Sequence, residues 1–77
     1  MWIRTNKKMM NLNTVCRITC DREGVMSKGP CITFLHNEGK YCPIHTEVSY
    51  PDYPTAERWF DELHKAIKAD VPIFDMR

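Results

Sequence analysis

The sequence predicts an α+β domain: a twisted antiparallel sheet or open barrel of four to five strands, packed by one C-terminal helix. Three observations carry this. Ala56, Trp59, Phe60, Leu63, Ala66 and Ile67 recur at three- and four-residue spacing, with Arg58, Asp61, Glu62, Lys65 and Lys68 on the opposite face, which is the pattern of an amphipathic helix over residues 54–69. Residues 1–50 instead carry short runs of period-two alternation rich in β-branched residues. Between those runs stand Asn, Gly and Pro, the residues that turns require.

Residues 1–5 read as a short strand with Trp2 and Arg4 on one face and Ile3 on the other. Asn6-Lys7-Lys8 is turn chemistry, Asn6 being a residue that tolerates positive φ. Residues 9–12 return as a second strand, and Asn13 and Thr14 mark a bend. In residues 15–20, alternation puts Cys16, Ile18 and Cys20 on one face and Val15, Arg17 and Thr19 on the other. Residues 21–30 hold Gly24, Gly29 and Pro30 and read as a loop. Residues 31–36 form the next strand, Asn37-Glu38-Gly39 a hairpin turn, and residues 40–48 the returning strand. Pro43 has no N–H to give a ladder, so that strand belongs at a sheet edge or carries a bulge. Pro51 and Pro54 then favour extended backbone before the helix, with Pro54 opening it and Pro72 closing it. Asp61 and Lys65 are spaced for an i,i+4 ion pair on the helix surface. Residues 70–77 are an apolar tail that either folds back as a strand or reaches a partner subunit.

A chain of 77 residues forms one domain with a thin core, because a chain of this size buries only about 60% of its unfolded surface. Such domains are often helped by a metal, a disulfide or a second subunit. With 43% apolar and 27% charged residues, the composition is that of a folded globular chain rather than a disordered one. No apolar run approaches a membrane span, and the first residues lack the apolar core of a signal peptide, so a cytoplasmic protein with no membrane partner is expected. The net charge of +1 argues against gross electrostatic binding, but the charges are unevenly placed. Residues 1–40 hold seven Lys/Arg against three Asp/Glu, and residues 41–77 hold four against seven.

The chemistry-bearing residues are four cysteines and three histidines. Cys16, Cys20, Cys42 and His45 supply three thiolates and an imidazole, a valid zinc ligand set. Against it, a regular strand would hold Cys16 and Cys20 about 13 Å apart, too far for one tetrahedral ion. The expectation is therefore no cofactor, with the cysteines as small buried hydrophobes and zinc as the alternative. A disulfide is disfavoured in a reducing compartment. His64 lies at the border of the helix stripe, and His36, next to a turn, reads as solvated.

No catalytic constellation is visible. Cys42 and His45 lack an orienting third group, Gly24, Gly29 and Gly39 do not form a phosphate loop, and Asp61 and Glu62 point in different directions on the helix. The residues expected to touch a protein partner are Arg4, Lys7, Lys8, Arg17, Arg22 and Lys28 of the basic half, with Ile73 and Phe74 of the tail, the tail being also a route to a homodimer. The same basic residues with Trp2 and Tyr41 are the alternative of a single-stranded nucleic-acid face.

The opening Met1-Trp2-Ile3-Arg4-Thr5, the following Asn11-Leu12-Asn13 and the segment Tyr53-Pro54-Thr55 at the helix start resemble a group of small, largely uncharacterised bacterial and phage proteins. The resemblance covers the first 20 residues and residues 53–67, and implies a compact sheet-plus-helix fold without implying an activity. The four cysteines and the tail depart from the group's pattern. The overall expectation is a non-catalytic binding module that docks on a protein, with the resemblance alone suggesting a phage or mobile-element accessory protein such as an inhibitor of host defence.

Overall fold

The computed structural model describes residues 1–36 and 44–76, Ile44 by its backbone. The elements run β1 (Trp2–Arg4), β2 (Met9–Asn11), a 3-10 turn (Leu12–Thr14), β3 (Val15–Asp21), β4 (Cys31–His36), β5 (Ile44–Ser49), α1 (Tyr53–Ala69) and β6 (Ile73–Asp75). The α+β class is as the sequence predicts. The single sheet of four to five strands is replaced by two open three-stranded sheets, ordered β2-β1-β6 and β3-β4-β5. Two local events make the difference. The 3-10 turn after β2 takes the chain out of the first sheet, with the Asn11 side chain accepting from the Asn13 N–H at 3.0 Å. The tail then folds back as β6, parallel to β1, with Trp2 N donating to Pro72 O and Met76 N donating to Arg4 O, each at 2.8 Å.

The β1–β2 turn closes without positive φ at Asn6; among the described residues Asp70 alone of the non-glycines has one. The Thr5 hydroxyl does the work instead, accepting from the N–H groups of Lys7 and Lys8 at 3.3 and 3.1 Å. In β3 the pairing steps from Val15↔His36 to Arg17↔Leu35, leaving Cys16 as an extra residue. This bulge turns Val15 onto the same core-facing side as Ile18 and Cys20, and leaves Cys16 exposed, correcting the simple alternation. β5 is an edge strand, as expected of the returning strand; residues 40–43, Pro43 among them, and the hairpin turn at 37–39 lie outside the described residues.

The helix matches its sequence signals closely. The Asp52 carboxylate caps it, accepting from Thr55 N at 2.8 Å and Thr55 Oγ1 at 2.6 Å. Pro54 sits in its first turn, and Asp70 in the left-handed region ends it, its N–H reaching the Ala66 and Ile67 carbonyls. The surface ion pair is Lys65 to Glu62 at 3.4 Å, one turn position away from the expected Asp61 partner; both groups are exposed, so it adds little.

The helix lies against β3 and β4, and one cluster of Ile3, Met10, Ile32, Phe34, Leu63 and Met76 joins both sheets to it. Trp59 extends the cluster, stacked on Tyr50 at 6.5 Å and edge-on to Phe74 at 6.1 Å. Leu63 is almost fully enclosed. Leu63→Ala therefore costs about 2–5 kcal/mol, read as a lower urea midpoint with the slope unchanged. Among the described residues no helix is long and apolar enough to cross a membrane.

Candidate binding surfaces

Each strand of the first sheet is three residues long, so each sends its middle side chain inward and its two end side chains outward. Ile3, Met10 and Phe74 go in. Outside, register sets Trp2 between Asn11 and Ile73, and Arg4 between Met9 and Asp75. Trp2, Met9 and Ile73 keep 46%, 49% and 57% of their surface in solvent, a concentration of large apolar side chains on one small face. Lys7 and Lys8 extend it at the β1–β2 turn, where they also border a groove of about 240 Å³ running to Thr46, Glu47, Val48 and Ser49 of β5.

Four of the eight residues expected to meet a partner thus come together here: Arg4, Lys7, Lys8 and Ile73. The other four do not. Phe74 is a correction: it alternates with Ile73 along β6 and turns inward onto Trp59. Arg17 is exposed on β3, Lys28 is exposed in the β3–β4 connection, and Arg22 is committed to the Tyr53 ring, 4.3 Å from its centroid. Tyr41 lies outside the described residues, so the basic, aromatic nucleic-acid face reduces here to Trp2, Arg4 and the two turn lysines.

A second surface runs between β3 and α1. Leu12, Val15, Cys16, Arg17 and Ile18 face Phe60, Leu63, His64 and Ile67 across a groove of about 360 Å³. It continues past the shared Ile18 and Phe60 to an end walled by Asp21, Tyr53, Glu57 and Asp61. One end therefore carries Arg17 and His64 and the other the Glu57 and Asp61 carboxylates, while the Asp21 carboxylate accepts from the Thr19 and Thr33 hydroxyls at 2.8 and 3.2 Å on the sheet face away from the helix. Helical periodicity already placed Asp61 on the outer helix face, but the placement of Glu57 and Asp61 beside β3 depends on how the helix crosses it, which the sequence does not announce.

The acidic end affects Cys20. Burial pushes its thiol up, and the charges of Glu57 and Asp21 push it further, so it is a thiol rather than a nucleophilic thiolate at neutral pH. Burial likewise raises Cys31, which is wholly enclosed. Of the zinc set, Cys16 and Cys20 lie on β3 and the exposed His45 on β5, two strands away across β4; about 10 Å separates such strands. Cys42 lies outside the described residues, and among the described residues no group of three or more His, Cys, Asp or Glu gathers in metal-binding geometry.

The β3–β4 connection folds over the sheet face that points away from the helix. There the Glu47 carboxylate accepts from the N–H groups of Val25, Met26 and Ser27 at 2.8 to 3.2 Å. Partial burial pushes its pKa up, but the Ser27, Met26 and Val25 donors together outweigh this and leave it below the ordinary 4.5. The clasp leaves Val25 and Met26 at its tip almost fully exposed. His36 corrects its expected solvation: paired with Val15 at the end of β4, it faces inward and is buried, with Nδ1 3.4 Å from the Thr14 hydroxyl.

No family model, no curated protein and no solved structure matches this chain.

Proposed function

We propose that the protein is a non-catalytic binding module that docks on a protein partner through the outer face of β2-β1-β6. The observation that carries this is the exposure of Trp2, Met9 and Ile73 side by side with Arg4 among them and Lys7 and Lys8 at the edge. Trp, Met and Arg are the side chains that interfaces concentrate, because each buries much surface on docking. The cationic rim selects a partner whose apolar patch is bordered by Asp or Glu, since like charge would repel it and opposite charge speeds encounter.

A photoreactive amino acid at position 73 tests this in the cells that make the protein. One discrete protein adduct is expected, and it should disappear when Trp2→Ala and Arg4→Glu are added to the labelled chain. The same label at the exposed helix position Lys68 should give none. An adduct indifferent to Trp2→Ala overturns the assignment of the face, and an adduct to nucleic acid in place of protein overturns the class of partner.

A further inference from the structure

We propose that the edge of β3 is a self-recognition site, at which a second copy of the chain pairs antiparallel across a two-fold axis centred on Thr19. β3 is hydrogen-bonded to β4 on one side, and among the described residues no strand covers the other, so its outer N–H and C=O groups stand ready for a ladder. The strand is regular from Arg17 onward, since the bulge is confined to the step between Val15 and Arg17. Pairing the regular part with itself about Thr19 sets Arg17 opposite Asp21 of the second copy, twice by symmetry. It also sets Ile18 opposite Cys20, and both of these side chains lie on the core-facing side in the monomer. Every cross-strand pair therefore matches like with like in polarity, and the charged pair matches opposite signs.

The groove beside the edge obeys the same symmetry. Its Arg17–His64 end and its Glu57–Asp61 end lie at opposite ends of β3. The two-fold brings the cationic end of one copy to the acidic end of the other. A two-fold perpendicular to the sheet keeps both helices on one face, so the two grooves merge and the partly exposed Phe60 and Ile67 of each copy gain apolar company. The result is a continuous six-stranded sheet that presents two copies of the Trp2–Ile73 face, and a thin-cored domain acquires the second subunit that such domains often need.

Sedimentation velocity on the full chain, from micromolar to near-millimolar concentration, reads this directly. The wild type is expected to move from 9.1 kDa towards twice that mass. Arg17→Asp and Asp21→Arg each place like charges opposite each other at two symmetric positions, and each alone should weaken dimerisation by about tenfold or more. Mixed in equal amounts, the two variants restore both attractive pairs, so a heterodimer should form with affinity close to the wild type. A wild type that stays monomeric at the highest concentration overturns the proposal. So does a dimer unmoved by Arg17→Asp, or a mixture that fails to recover while circular dichroism shows both variants folded.

Discussion

Phe34→Ala removes a large share of the domain's stability, about 3–5 kcal/mol, and lowers its melting temperature far below the wild type. Phe34 is the largest of the fully buried side chains, on the central strand of β3-β4-β5 between Ile18 and Thr46. It belongs to the cluster in which both sheets and the helix meet, so its loss opens a space that no single neighbour fills. Truncating a buried Phe costs about 3–5 kcal/mol, and a domain of this length has a total stability of about 4–12 kcal/mol. The expected circular-dichroism signal is that of a chain that melts far below the wild type. Phe34→Leu keeps most of the volume and should remain folded with a loss of about 1–2 kcal/mol. If Phe34→Ala melted with the wild type, the shared core would have to lie elsewhere.

What could be read in the sequence follows the range of the interactions. The helix was legible to within one residue at its start because its stripe, its Pro54 opening and its Pro72 stop are all local. The inward Ile3 and outward Trp2 and Arg4 followed from two-residue periodicity alone. β6 was not legible as a parallel partner of β1, because that pairing joins residues some seventy positions apart and three residues carry little pattern. The Cys16 bulge was hidden for a different reason: one extra residue leaves the composition of a strand unchanged and still reverses which side Val15 faces. The inward direction of His36 comes instead from its own strand, where it alternates with the core residues Ile32 and Phe34 despite its polarity. Of the candidate surfaces, the cationic contribution of Arg4, Lys7 and Lys8 was visible in the basic first half, whereas the acidic end of the β3 groove depends on how the helix carrying Glu57 and Asp61 crosses β3.

Gly24→Ala should be the most damaging conservative change outside the core, because the only space for a Cβ is already filled. A Cβ there would lie 2.6 Å from Glu47 Oε1 and 2.7 Å from Cys31 Sγ. Neither atom can give way cheaply. The carboxylate is the end of a flexible side chain, but three backbone N–H groups hold it; the thiol is fixed on β4 and enclosed on every side. The connection must therefore lift, which breaks the clasp and uncovers Cys31. Overpacking together with the loss of charge-assisted hydrogen bonds amounts to about 2–4 kcal/mol. Two further readouts separate lifting of the loop from general loss of stability. Alkylation mapped by mass spectrometry should find Cys31 modified in the folded variant and protected in the wild type. The pH dependence should change as well. Glu47 has a folded-state pKa below its unfolded value, so its contribution is fully present above pH 4.5 and is lost as pH falls through the lowered folded value. Gly24→Ala frees the carboxylate from its donors, so this part of the acid limb should flatten. A variant that kept Cys31 protected and the acid limb intact would mean that the loop accommodates the methyl group and that the Glu47 clasp does not depend on Gly24.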